Sequence, residues 1–218
     1  MKKIIEVKNV SIGYSKKTIL EKIEITLNVG DFLVVSGGNG TGKSAFLKFL
    51  FMKIPPFSGS YKIFDEEIMF TDKSRINNLR KKIGVILQKN YLIPYLTVLQ
   101  NVELALEIQN DSSISELNRV YEILRWVGLE EKEKFKIQEL SDSERQKVVI
   151  ARSLVSNPRI LIADEPMLYL DSSSREKLFF LLNTINKLGT TIIIADNLNK
   201  TRYKNTLQID IEDYFVKK

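Results

Sequence analysis

The stretch "GGNGTGKS", Gly37 to Ser44, constrains this chain more than any other. It fits the pattern G-x-x-x-x-G-K-[S/T], and it lies between the apolar run "FLVVS" (Phe32–Ser36) and a helical pattern that begins near Lys43. Glycines let successive backbone N–H groups curl around phosphate oxygens with no Cβ in the way. The start of the following helix adds positive potential. Gly37, Gly38, Asn39, Gly40, Thr41 and Gly42 therefore form a candidate phosphate cradle. Lys43 is placed to reach β- and γ-phosphates, and the Ser44 hydroxyl to ligate Mg²⁺.

A strand, a phosphate loop and a helix need a sheet around them, and the chain supplies one. "GVILQ" (Gly84–Gln88), "RILIAD" and "TTIIIAD" are short continuous apolar runs, as expected of strands buried on both faces. The helical pattern "SSSREKLFFLLNTINKLG" separates the last two, with Gly189 as its stop signal. Such alternation predicts a parallel sheet in an α/β fold. Ahead of the loop, Ile4–Val10 and Thr18–Val29 read as period-two strands around the turn-like "IGYSKK". The patterns "TVLQNVELALEI" and "ELNRVYEILRWVGL" make the insert between Gln88 and Leu140 a candidate helical subdomain.

"RILIADEP" carries a second chemical signal. Its apolar residues deliver Asp164 to the carboxyl end of a strand, where open α/β sheets bind ligands. Asp164 suits Mg²⁺ held through water, and Glu165 suits the orientation and polarisation of an attacking water.

Composition excludes several other chemistries. No cysteine and no histidine occur in the 218 residues, so disulfides, thiolate metal sites and imidazole bases are absent. Lys and Arg number 33 against 27 Asp and Glu, in small scattered clusters. That surface is either simply solvated or attracted to an anionic membrane face or nucleic acid. No basic stripe interleaved with aromatics favours nucleic acid. No run reaches the length of a membrane span, and "MKKIIEVKNV" alternates where a signal peptide would be uniformly apolar.

Over nearly its whole length the chain resembles the ATP-binding subunits of ABC transporters. The resemblance rests on "GGNGTGKS", "GVILQ", "LSDSE", "RILIADEP" and "EPMLYLD". It implies a P-loop NTPase fold with a RecA-like parallel core, N-terminal antiparallel strands and a helical signature subdomain. The core would span 1–88 and 156–218, and the helical subdomain about 89–155. ATP and Mg²⁺ are the implied cofactors. Tyr14 matches the aromatic that stacks on adenine, and Gln88 the glutamine that contacts Mg²⁺ and the attacking water. Asp171 falls in the family's dimer-interface loop.

The signature departs from the family's L-S-G-G-[QE]. Ser141 is kept, while Asp142 and Ser143 stand where two glycines would approach the γ-phosphate of the partner subunit's ATP. A carboxylate roughly 7 Å from that phosphate, at an effective dielectric near 20, costs about 2 kcal/mol, which weakens the shared site by more than tenfold unless relieved. Arg145, three residues on, can pair with Asp142. The same residues also read as a helix start: Ser141-x-x-Glu144 is a capping box, and Asp142 suits the helix dipole. In "IIIADNL", Asn197 takes the position of the family's switch histidine; its amide donates a hydrogen bond but carries no titrating proton.

"LRKKIGVILQKNYLIPYLTVLQNVELAL" leans toward the FtsE-type cell-division branch and its lipoprotein-release relatives. The resemblance implies a homodimer, peripheral to the cytoplasmic face of the inner membrane and docked on an FtsX-like integral-membrane subunit. The apolar "YLIPYL" lies where the docking groove would form. Three functions follow: a membrane-coupled ATPase, a nucleotide-binding scaffold with little turnover, or a soluble ATPase of DNA repair or translation. A single phosphate loop without a coiled-coil insertion argues against the third.

Overall fold

The computed structural model of the chain describes residues 2–89, 91–109, 114–196 and 206–216. Its centre is a parallel sheet of β3 (Phe32–Ser36), β6 (Ile83–Ile86), β7 (Ile160–Asp164), β8 (Thr191–Ala195) and β9 (Leu207–Asp210), in the order β6-β7-β8-β3-β9. All five residues of β7 and all five of β8 are buried, which is why these segments read as unbroken apolar runs. Their side chains still alternate between two cores. Ile160, Ile162 and Ile193 pack with α1 (Lys43–Leu50), whereas Leu161, Ala163, Ile192 and Ile194 pack against α6 (Ser172–Lys187). The α6 helix stops where expected, at Gly189 with φ +105°, whose N–H donates to Asn186 O at 2.9 Å.

A second sheet, antiparallel, has the order β2-β1-β4-β5 and closes over α1. β1 (Lys3–Tyr14) is longer than the alternation suggests, and only Ser15 and Lys16 separate it from β2 (Lys17–Asn28). Both turn residues have positive φ, +48° and +65°, the geometry that matches the twist of a two-residue hairpin. Register shifts near Asn9 and Ile12 break the strict alternation of β1 and so hide its true length. The hairpin of β4 (Ser58–Ile63) and β5 (Glu66–Glu67) turns at Phe64-Asp65, also at positive φ but without the glycine or asparagine that announces such a turn. A short helix, α2 (Lys73–Arg80), precedes β6 and is capped by Asp72.

The region after β6 is helical, with α3 (Val98–Glu107), α4 (Ile114–Val127) and α5 (Asp142–Leu154). α5 sits on the proposed seam and packs both ways. Val148, Ala151 and Val155 join Val102, Val120 and Leu124 in a cluster with α3 and α4. Val149, Ile150 and Leu154 instead join the side chains beneath the parallel sheet. The start of α5 is thus fixed relative to the sheet by its own two apolar faces. Among the described residues no helix is long and apolar enough to cross a membrane.

Candidate nucleotide site

The phosphate loop links β3 to α1, with Gly38, Asn39 and Gly40 exposed. Gly42 is the N-cap of α1 at φ +100°, no side chain caps the helix, and no acidic residue occupies its first turn. A Cβ at Gly42 would sit tightly against side-chain atoms of Ile19 and Leu20 at 3.0 Å, and the left-handed φ favours glycine there. The N–H groups at this helix start are thus capped by no side chain of the helix's own, as an anion site needs. Lys43 is buried, and its Nζ donates to Gly37 O at 2.6 Å and Gly38 O at 2.8 Å, which holds the ammonium inside the loop.

β7 brings Asp164 beside this loop. Asp164 is only 4% exposed, and it accepts a hydrogen bond from Ser44. Burial pushes its carboxyl above the usual range, against the Ser44 hydrogen bond and the charges of Lys48 and Lys43. Its Oδ1 is buried with no hydrogen-bond partner. An orphaned carboxylate oxygen next to a serine hydroxyl fits a hard divalent cation with oxygen ligands. No cluster of three or more Asp, Glu, His or Cys suited to a metal exists among the described residues, so such a cation would take its other ligands from phosphate, water and neutral side-chain oxygens.

Glu165 follows with φ +50°, a left-handed conformation that costs a non-glycine residue on the order of 1 kcal/mol. The backbone holds it there: Glu165 N–H donates to Ala195 O at 2.9 Å, and Leu168 N–H donates to Glu165 O at 3.1 Å. Gln88 Nε2 donates to Glu165 Oε2 at 3.4 Å. β6 ends at Ile86, so Gln88 lies two residues past the strand and not at its end as the apolar run suggests. Tyr14 ends β1 and is 42% exposed.

The residues assigned to a partner's ATP lie on other elements. Ser141 is the N-cap of α5: its Oγ accepts from Glu144 N–H at 3.3 Å, while Ser141 N–H donates to Glu144 Oε2 at 2.9 Å. Glu144 is also paired with Lys132, and these contacts hold its carboxyl down at about 2. Asp142 is paired with Arg145 at 3.4 Å, although its side chain is 74% exposed. Arg145 is itself anchored by donation from Nε to Ile137 O at 3.2 Å. Asp142 and Arg145 share a cleft of about 460 Å³ with Gln88, Leu92 and Tyr169. Asp171 caps α6, accepting from Ser174 N–H at 2.8 Å, and the Ser174 N–H and hydroxyl hold its carboxyl below the usual range. Asn197 lies outside the described residues.

Comparison with known proteins fits this geometry. Residues 20–168 match the model of the family described as ABC transporter. The chain belongs to the ABC transporter family. It is 37% identical over 217 residues to the cell division ATP-binding protein FtsE of Bacillus subtilis, covering 98% of this chain and 94% of that protein. It is 34% identical over 200 residues to the macrolide export ATP-binding/permease protein MacB of Escherichia coli, covering 89% of this chain and 31% of that longer protein. The dimeric structure of MJ0796, a bacterial ABC transporter cassette, superposes with a TM-score of 0.87 at 29% identity, over 96% of this chain and 95% of that one. The parallel core, N-terminal antiparallel strands and helical region are thus those of an ABC ATP-binding cassette, a family whose members bind ATP, dimerise and pair with membrane subunits.

Two residues outside the sequence motifs shape the segment after Gln88. Asn101, fully buried on α3, accepts from Ile93 N–H at 2.9 Å and donates to Ile93 O at 3.1 Å. Arg152 on α5 donates to Tyr91 O at 3.0 Å. A polar residue inside the apolar face of α3 was the only signal for the first. Tyr91 and Ile93 then line an apolar cavity of about 750 Å³ together with Leu104, Ala105 and Ile108 of the α3 region.

Proposed function

We propose that this chain is the ATP-binding and ATP-hydrolysing subunit of a membrane-associated ABC complex, with an FtsE-like role in cell division. It would work as a homodimer on the cytoplasmic face of the inner membrane, docked on an FtsX-type integral-membrane subunit. The observation that carries the reading is the convergence of Lys43, Ser44 and Asp164 with the Gln88–Glu165 pair at one end of the parallel sheet. The 37% identity to FtsE over both nearly complete chains supports the cell-division branch.

The roles follow from the atoms present. Backbone N–H groups of Gly40 to Ser44 hold the β-phosphate, and Lys43 shifts from its loop carbonyls to the β- and γ-oxygens. Tyr14 stacks on the base. Ser44, Gln88 and Asp164 would hold Mg²⁺, which would supply positive charge against the triphosphate. Glu165 takes a hydrogen bond from the attacking water and Gln88 fixes its direction. Ser141 and Asp171 would meet the second copy, and Asp142 would oppose that copy's γ-phosphate. Turnover is therefore lower than an L-S-G-G signature would give. The apolar cavity beside Tyr91 and Ile93 would receive the membrane subunit.

ATP turnover by the protein co-reconstituted with its membrane subunit tests this. Glu165→Gln should cut the rate about 100-fold and leave ATP binding intact. A rate unmoved by Glu165→Gln would sink the hydrolytic reading. The MacB match, at nearly the same identity, favours a second reading as the ATPase of an exporter or lipoprotein-release system. Capture of the membrane subunit from cells, followed by its identification, separates the two.

A further inference from the structure

Beyond the residues assigned so far, the phosphate loop has a carboxylate seated on it. Glu212 belongs to the short 3₁₀ turn Ile211–Tyr214 that follows β9. Its Oε1 accepts a hydrogen bond from Gly38 N–H at 2.6 Å, between residues far apart in the chain. The turn is held in place from both sides. Asp210 Oδ1 accepts from Glu212 N–H at 3.0 Å, and Ile211 is fully buried. Beyond the turn, Val216 N–H donates to Ile19 O at 3.0 Å, and Phe215 bridges to Leu20 of β2.

Ile19 and Leu20 are the residues that crowd Gly42 on the loop's other flank, while Ile211 and Glu212 crowd Gly37 and Gly38. The C-terminal segment thus straps the loop between the two sheets, with a formal negative charge at the contact. Gly38 is gripped twice: Glu212 takes its N–H, and Lys43 donates to its carbonyl at 2.8 Å. The same loop that is built to collect N–H groups for phosphate already spends one on the protein's own anion.

We propose that Glu212 is a specificity-determining residue of the nucleotide site, its carboxylate on Gly38 opposing bound nucleotide in proportion to the number of phosphates. The inference rests on reading the loop as a triphosphate site. Glu212 is exposed, so the opposition is moderate and falls as salt screens it. Glu212→Gln keeps the acceptor for Gly38 N–H and removes the charge. Asp213→Asn removes the same charge one residue further on.

The test is equilibrium binding of ATP, ADP and adenosine to the full chain and these variants, by calorimetry in low and high salt. Glu212→Gln should bind ATP about fivefold more tightly and ADP about twofold more tightly, with adenosine unchanged and the gain shrinking at high salt. Asp213→Asn should gain less than Glu212→Gln. Equal affinities, an equal gain for adenosine, or the same gain from Asp213→Asn would each overturn the proposal. Failure of the wild-type chain to bind ATP, or binding unaffected by Lys43→Ala, would instead overturn the reading on which it rests.

Discussion

Two helices of this cassette begin in opposite ways. α1 has a left-handed glycine at its N-cap, no side-chain cap and no acid in its first turn. α5 has a complete capping box between Ser141 and Glu144, with Asp142 and Glu144 both in its first turn. The first start leaves its N–H groups and dipole to an external anion; the second turns them onto its own side chains. In a homodimer these two starts would face one another across ATP. On the proposed function, the contrast would place the nucleotide's grip in the phosphate loop and leave the α5 end a weaker second contact.

The largest expected effect probes the open start. Lys43→Ala should lower ATP affinity at least about 100-fold, read by calorimetry, because a buried ammonium aimed along the loop is lost. A modest loss would mean that backbone N–H groups alone carry the grip. The next effect is smaller and lies at the closed start. Replacing Asp142 and Ser143 together by glycine should raise steady-state turnover about tenfold, through lost repulsion. The same double variant should cost about 1 kcal/mol in urea denaturation, since glycine weakens the first turn. A turnover that stays flat would show that the ion pair with Arg145 already offsets Asp142.

Much of this contrast was legible in the residues. The loop, its flanking strand and helix, the Asp164–Glu165 step and the Ser141–Glu144 box are all local patterns, and the structure holds the loop, the helix start and the step where the patterns put them. The Asp142–Arg145 pair, too, follows from three-residue spacing on a helix. What stayed hidden depends on distant partners. The β4–β5 hairpin turns on Phe64-Asp65, where Phe64 takes a left-handed conformation that its residue type does not advertise, held by pairing with β1. Glu212 reaches Gly38 across almost the whole length of the chain, and no periodicity encodes that contact. Gln88 overshoots its strand because the apolar run continues past the last pairing of β6 with β7.

The closed start alone is addressed by Ser141→Ala. It removes the Oγ that accepts from Glu144 N–H, and should lower stability by about 1 kcal/mol with ATP affinity nearly unchanged. A matching loss of ATP affinity would tie the cap to the chain's own nucleotide and blur the contrast between the two starts.

The smallest effect separates the capping box from its ion pair by pH. Glu144 has a carboxyl near 2 in the folded chain against an ordinary value of 4.5, first because of Lys132 and then because of Ser141 N–H. A depressed folded value means that the unfolded chain binds the proton more readily. The stabilisation is therefore complete above about 4.5 and drains away as the pH falls from there toward about 2. Glu144→Gln keeps a capping oxygen for Ser141 N–H but cannot titrate, so the difference in urea midpoint between wild type and variant should be constant from pH 7 to about 5 and narrow below. If the difference stays constant down to about pH 3, Glu144 holds no special charge interaction, and the closed start of α5 owes its stability to hydrogen bonding alone.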